Sequence, residues 1–268
     1  MIKIKMLSKL ISKFKWMINP PKLSKTVEKE YLESAHHIAA HVKQSINKDE
    51  NSDKIVISLG ENCNSAWYIK AVGLKKASYP FDWIYSSPEI VLHCLQDDFK
   101  TYLEKSYIFN TRSGNSAGHK FYHSSLFNHK NPLKTEDDFQ YYKRCVERFK
   151  KVFDSTSEII FVITVITETE KRSGAGWAKG FDRNFKLPVN LNVDSLVEFM
   201  NTIKIRHSNA KFLFIEQITE QSPSIEIINK KQDNYVWIKH TSFQRNTGVF
   251  YKHKTDDAVA KILYSVLK

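Results

Sequence analysis

The chain has 268 residues, of which 41% are hydrophobic and 13% aromatic, so it can bury a full core and is not intrinsically disordered. Its formal net charge of +12 predicts attraction to anionic partners, but no nucleic-acid-binding motif accompanies that charge, so we do not expect a nucleic-acid partner. The three cysteines are widely spaced and include no C-x-x-C pair, which excludes a disulfide scaffold and a zinc site and indicates a reducing, cytoplasmic setting.

The first 21 residues predict a basic amphipathic helix. Apolar side chains recur at three- and four-residue steps, lysines and serines fill the opposite face, and Pro20 and Pro21 end the pattern. No apolar run is long enough for a membrane span or a signal peptide. Such a helix is typical of an interfacial anchor, so we expect residues 1–18 to bind an anionic membrane surface and the protein to be peripheral at the inner membrane. A helix that docks on its own domain or on a partner is the alternative.

Residues 22–53 are polar and predict a helical linker, with a helix over residues 27–46. His37 and His41 have the i, i+4 spacing of metal ligands, but no glutamate stands between them as in a H-E-x-x-H site. We therefore expect no metal site there. Residues 54–268 predict a single α/β domain.

The segment from residue 54 to residue 83 predicts a strand, a tight turn and a helix. An apolar run over residues 55–57 is ended by Leu59 and Gly60, residues 61–65 then supply turn and N-cap residues, and Cys63 lies at or near the first helical turn. Free N–H groups and the dipole of a helix N-terminus lower a thiol pKa and can hold an oxyanion. The alternative is that Cys63 is a small buried packing residue.

The segment over residues 100–134 contains a cluster of histidines. His119, His123 and His129 fall within eleven residues, and a short strand over residues 121–123 would present His123 at its end. A cysteine nucleophile needs a neighbouring imidazole as base, so we expect one of these histidines, His123 first, to activate Cys63. The three histidines could alternatively bind a metal, although their spacing matches no known signature.

Arginines and a basic loop follow the histidine cluster. Arg144 and Arg148 share one row of a helix over residues 136–153 and could clamp a phosphate or carboxylate, unless they form an ordinary solvated pair. The loop over residues 167–188 carries three glycines and Lys179 but no phosphate-binding fingerprint, so we predict a mobile basic loop.

The order of the elements predicts the fold class. Strands over residues 55–57, 159–165, 211–215 and 235–238 alternate with helices, and the last helix spans residues 255–267. This alternation predicts an α/β fold with three layers, in which a mostly parallel sheet carries helices on both faces, as in Rossmann-like or SGNH-hydrolase-like folds.

Two motifs resemble a known family. Ser58, Leu59, Gly60, Asn62 and Cys63 fit the pattern S-L-G-x-N-C, and residues 80–83 are P-F-D-W. These patterns resemble the bacterial DUF1796 family, which is named for papain-like cysteine peptidases and has a histidine-containing block further on. The segment over residues 144–149 also resembles a helix of that family. The resemblance implies a thiol nucleophile.

The order of strands and helices also resembles the Ser-Gly-Asn-His esterases. Gly60 to Cys63 stand where those enzymes have G-D-S, and His253 precedes the last helix, but Phe250 replaces the aspartate of D-x-x-H. His240, at the end of the strand over residues 235–238, and His253 are therefore alternative bases for Cys63. The resemblance is topological only.

We expect Asp82 to orient or deprotonate a catalytic group, with backbone capping as the alternative. Three functional hypotheses follow. The first is an acyl-transfer enzyme, such as a peptidase or esterase, that uses Cys63, a histidine, Asp82 and an oxyanion site containing Asn62. The second is a transferase for surface-polysaccharide precursors, in which the basic N-terminal helix and the basic glycine loop hold an anionic sugar-phosphate donor and Cys63 is a packing residue. The candidate substrate-binding residues are Gly60, Arg144, Arg148 and Lys179. The third is a non-catalytic scaffold. None of the three requires a cofactor.

Overall fold

The computed structural model describes residues 22–47, 53–166, 180–182, 184–185, 193–220, 222–229 and 234–268. The predicted amphipathic helix over residues 1–21 lies outside these ranges, as does most of the predicted loop over residues 167–188.

Seven helices and eight strands are described in these ranges. The helices are α1 (Lys25–Ile46), α2 (Cys63–Ala71), α3 (Pro88–Gln96), α4 (Lys100–Leu103), α5 (Glu136–Phe153), α6 (Val193–Arg206) and α7 (Lys254–Ser265). The strands are β1 (Lys54–Ser58), β2 (Ile108–Asn110), β3 (Ala117–His119), β4 (His123–Phe127), β5 (Glu158–Ile166), β6 (Lys211–Thr219), β7 (Ser224–Ile227) and β8 (Tyr235–Ser242). A short 3₁₀ helix, Lys105–Tyr107, precedes β2.

The main sheet has the order β1-β5-β6-β8-β7. The first four of these strands are parallel, and β7 is antiparallel to β8. The predicted mixed α/β fold with a mostly parallel sheet is thereby confirmed. Strands β2, β3 and β4 form a separate antiparallel sheet in the order β2-β3-β4.

Both faces of the main sheet are buried. Along β5, Ile159, Phe161 and Ile163 belong to one hydrophobic cluster, whereas Ile160 and Val162 belong to another. The alternation follows from the two-residue period of a strand. Residues of α3, α5 and α6 complete the first cluster, and residues of α1, α2 and α7 complete the second. The apolar run over residues 159–165 is therefore a central strand that is covered on both sides.

Two details differ from the sequence predictions. Strand β7 was not predicted. The strand predicted over residues 121–123 is wrong in its limits, because His119 of β3 pairs with His123 of β4 and the residues between them form the connection of the hairpin.

Candidate active site

A hydrogen-bonded turn carries the chain from β1 into α2. The N–H groups of Leu59 and Glu61 donate to the carbonyls of Val162 (2.8 Å) and Thr164 (3.1 Å), which fastens the turn to β5. Gly60 has φ +99°, and a Cβ on it would lie 1.9 Å from Ser86 Oγ. Glycine is required here because any side chain would be both strained and in collision. This contact places Gly60 in the framework of the turn.

Asn62 caps the helix that Cys63 begins. Its side-chain oxygen accepts a hydrogen bond from Asn64 N–H (3.0 Å), so Asn62 is the N-cap within the segment 61–65 that was predicted to supply one. The residue is 1% exposed, and its Nδ2 has no hydrogen-bond partner among the described residues. Asn62, the residue before Cys63, therefore has a side-chain amide donor that is unpartnered among the described residues.

The thiol of Cys63 lies against an imidazole. Cys63 Sγ is 3.1 Å from His129 Nε2, which is within hydrogen-bonding distance for sulfur. Cys63 is 2% exposed, whereas His129 lies in the exposed segment that follows β4. Trp83 of the P-F-D-W segment meets the ring of His129 edge-on, with ring centroids 5.9 Å apart. The side chains of Cys63, His129 and Trp83 thus lie together beyond the end of β1.

The pKa values of Cys63 and His129 differ from those expected for a thiol at a helix N-terminus with an imidazole beside it. The pKa of the Cys63 thiol is raised to about 12, first by burial and then by the negative charge of Asp82, and a backbone hydrogen bond opposes this only in part. Partial burial lowers the pKa of His129. Both shifts favour the neutral forms. The predicted lowering of the thiol pKa is therefore wrong, because desolvation outweighs the helix N-terminus, and the resting pair is a thiol and a neutral imidazole.

Asp82 is buried beside the pair. It is 1% exposed, accepts a hydrogen bond from Tyr79 N–H (2.7 Å) and forms a close ion pair with Lys75. Burial raises the pKa of the Asp82 carboxyl, and Lys75 opposes that rise. The Lys75 ammonium also lies 5.5 Å from the centre of the Trp83 ring. Asp82 thus caps the turn, and its charge acts on Cys63 through space.

The sequence prediction placed His123 first among the candidate bases, and the structure gives it other contacts. His123 is 1% exposed, and its Nδ1 accepts a hydrogen bond from Ser125 N–H (2.9 Å). Its ring packs on Tyr85 (4.9 Å between centroids) and Phe181 (4.6 Å). Burial raises the pKa of the Tyr85 phenol, with a further contribution from Cys63. The contacts of His123 are thus with Ser125, Tyr85 and Phe181, whereas His129 contacts the thiol directly.

The alternative bases have neighbours other than the thiol. His240 is buried between two tyrosines, with Nε2 2.5 Å from Tyr31 Oη and Nδ1 3.3 Å from Tyr251 Oη, and burial lowers its pKa to about 4. His253 precedes α7, and its Nδ1 lies 3.9 Å from Asp256 Oδ2. Neither histidine has a contact with Cys63 among the described residues.

The predicted basic residues are not brought together at the thiol. Arg148 donates to the carbonyl of Ser78 (2.7 Å) and so holds the start of the turn that contains Asp82. Arg144 is exposed, and Lys179 lies outside the described residues. Within the described ranges, no group of three or more histidine, cysteine or acidic residues is arranged to hold a metal ion.

His129 is the functional candidate that sequence reasoning ranked too low. It belongs to the predicted histidine cluster, but it lies beyond the end of β4 rather than in the strand. The available signal was the Asn128–Asn131 segment, which contains N-H-K-N before a proline and is typical of a turn after a strand.

Two comparisons with known proteins each find a similarity to part of the chain. An uncharacterized protein of Acanthamoeba polyphaga mimivirus, R408, is 37% identical over 57 residues, which is 21% of this chain and 26% of that protein. The similarity thus spans about a quarter of the relative's length. No solved structure matches the chain. Residues 54–174 match the family described as "Putative papain-like cysteine peptidase (DUF1796)", and the matched segment carries Cys63, Asp82 and His129.

Proposed function

We propose that the protein is a cysteine-dependent hydrolase in which Cys63 is the nucleophile and His129 is the general base. The observation that carries this proposal is the 3.1 Å separation of Cys63 Sγ and His129 Nε2 at the N-terminus of α2. A nucleophile within hydrogen-bonding distance of a base is the arrangement that activates a weak nucleophile. The family match over residues 54–174 supports the same class of enzyme.

The neutral state of the pair determines how the thiol would react. The Cys63 proton passes to His129 Nε2 as sulfur bonds to a carbonyl carbon and the carbonyl electron pair moves to oxygen. When the C=O bond re-forms, the leaving group departs with the proton from Nε2, and a thioester remains. Water then attacks the thioester with His129 as base, which releases the acid and restores the thiol. His129 therefore acts as a general base during attack and as a general acid during departure.

The transient negative oxygen needs donors beside the thiol. The backbone N–H groups of the first turn of α2 point out of the helix end, as in any helix. Asn62 adds its Nδ2, which is fixed by the bond from its Oδ1 to Asn64 and is unpartnered among the described residues. One donor of this type contributes about 10²- to 10³-fold to a rate. The predicted oxyanion role of Asn62 stays part of this proposal.

The transferase hypothesis has less support. It expects Arg144, Arg148 and Lys179 to line a cleft near Asp82. Arg148 instead donates a hydrogen bond to the carbonyl of Ser78, and Arg144 is exposed. Residues 54–174 match a family named for peptidases and not one named for transferases. We therefore favour hydrolysis of a carboxylic acid derivative over transfer of a sugar phosphate.

The test uses p-nitrophenyl acetate, a small activated ester that can enter a narrow site. We expect a burst of nitrophenolate and an acetyl group on Cys63, located by peptide mass spectrometry. Cys63→Ala abolishes both signals, and His129→Ala slows acylation by about 10²- to 10⁴-fold. The matched control is His36→Ala, which replaces an exposed histidine of α1. Acylation that is absent, or that is equal in the Cys63→Ala and unsubstituted proteins, refutes the proposal and supports the scaffold hypothesis.

A further inference from the structure

An aromatic pair lies on the surface one helical turn from Cys63. Trp67 of α2 and Phe250, in the segment between β8 and α7, have ring centroids 5.6 Å apart. Phe250 is 38% exposed, and Trp67 is half-buried. Because Trp67 follows Cys63 by four residues, both side chains lie on one side of the helix. Contiguous exposed apolar surface marks interaction sites, whereas single exposed apolar side chains do not.

Lysines without anionic partners lie next to this pair in the chain. Lys252 and Lys254 follow Phe250, and together with Lys22 they line an open cavity of about 420 Å³. All three are exposed, and none forms an ion pair with a described residue. We define the docking surface as Trp67, Phe250, Lys252, Lys254 and Lys22.

The acidic side chains of this region are already engaged. Glu28, which also lines the cavity, accepts a hydrogen bond from Thr255 Oγ1 (2.7 Å). Asp256 accepts from the N–H groups of Phe243 and Gln244, and Asp257 pairs with Lys261 at 2.7 Å. The three lysines of the docking surface therefore share the cavity with one carboxylate, that of Glu28, and the surface presents a net positive charge.

The docking surface is fastened to the helix that carries Cys63. Asn64 Nδ2 donates to the carbonyl of Val249 (3.1 Å), and Tyr251 N–H donates to Tyr68 Oη (3.1 Å). These two bonds hold the segment on either side of Phe250 against α2. A partner bound at the docking surface would therefore lie close to the N-terminus of α2.

We infer that the docking surface binds an anionic lipid bilayer. Tryptophan and phenylalanine insert at the boundary between headgroups and acyl chains, and adjacent lysines pair with anionic headgroups. The net charge of +12 has the sign that such a surface requires. Lys22 is also the first described residue after the segment 1–21, whose sequence predicts a basic amphipathic anchor. The docking surface would be a second contact that orients the domain, and the inference does not depend on the chemistry of Cys63.

The test is co-sedimentation of the full chain with vesicles of phosphatidylcholine that contain 30% phosphatidylglycerol. We expect Lys252→Gln/Lys254→Gln to weaken binding about 25-fold, since each lysine near an anionic surface contributes about fivefold. Phe250→Ser weakens binding to the same vesicles without any change of charge. The control, Lys100→Gln/Lys134→Gln, removes two exposed lysines elsewhere and changes the affinity less than threefold.

Two outcomes would overturn the inference. One is that Lys252→Gln/Lys254→Gln and Phe250→Ser bind the vesicles as tightly as the unsubstituted chain, which would leave membrane binding to residues 1–21 alone. The other is that inorganic phosphate, measured by calorimetry, binds the unsubstituted chain but not the lysine variant, while both bind vesicles equally. The cavity would then be a site for a free anion. Thermal melting of each variant checks its folding; the side chains of the substituted lysines are exposed and form no described hydrogen bond or ion pair.

Discussion

The pH dependence of Cys63 alkylation tests the neutral resting state of the pair. An ordinary thiol has a pKa of about 8.5, whereas burial and Asp82 raise that of Cys63 to about 12. At pH 7.5 an ordinary thiol is about 10% ionised and Cys63 about 0.003%, so the thiolate fraction is about 3,000-fold lower. Since iodoacetamide reacts with the thiolate, we expect slow alkylation of Cys63 at neutral pH.

The slope of the profile separates ionisation from access. The logarithm of the alkylation rate of Cys63, followed by peptide mass spectrometry, should rise by about one per pH unit from pH 7 to pH 10 without a plateau. N-acetylcysteine amide, measured in parallel, levels off above its own pKa. Steric protection alone would lower the Cys63 rate by a constant factor and preserve the plateau of an ordinary thiol.

Asp82 supplies the second part of this test. Because its negative charge is one cause of the raised thiol pKa, Asp82→Asn should shift the profile of Cys63 to lower pH. Asp137→Asn, which neutralises an exposed carboxylate in the first turn of α5, is the matched control and should leave it unchanged. A plateau below about pH 8.5 in the unsubstituted protein would mean that a thiolate–imidazolium pair is already formed, and the reasoning about burial would be refuted.

Three further predictions concern the framework of the site. Gly60→Ala should lower the free energy of unfolding by about 3 kcal/mol, because alanine is strained at φ +99° and its Cβ meets Ser86 Oγ. In a double-mutant cycle measured by urea unfolding, Ser86→Gly should recover at least about 1 kcal/mol of that loss, and additive effects of the two substitutions would contradict this. His240 has a folded-state pKa of about 4, below its unfolded value of about 6.5, so its contribution to stability is present above pH 6.5 and is lost as the pH falls to 4. Thermal melting over this pH range should show a loss of up to about 3 kcal/mol in the free energy of unfolding, and His240→Gln should reduce that loss. An unchanged pH dependence in the variant would argue against His240 as its cause. In the same urea titration, Asp82→Ala should destabilise the protein by about 3 kcal/mol and Asp82→Asn by less, because the asparagine amide oxygen still accepts a hydrogen bond from Tyr79 N–H. Equal losses of stability in the two variants would rule out the capping role of Asp82.

The sequence determined the elements whose physical basis is local. The apolar run over residues 159–165 predicts a strand buried on both faces, and it is the second strand of the main sheet. The helix predicted over residues 136–153 has the observed limits, because Thr135 caps it and an apolar row continues to its end. Gly60, Asn62 and Cys63 were placed correctly at the turn after β1 and the start of α2, since turn and capping residues act within a few positions along the chain.

Tertiary structure alone decided which groups meet Cys63. His129 is 66 residues away in the chain, and its approach depends on how β4 and the following segment pack beside Trp83. The pKa of the thiol could not be predicted from its place at a helix N-terminus, because that pKa depends on burial and on Asp82, both of which are set by long-range packing. The sequence by itself thus predicted a candidate nucleophile and a set of histidines, whereas the folded chain places one histidine against the thiol and favours the neutral form of both groups.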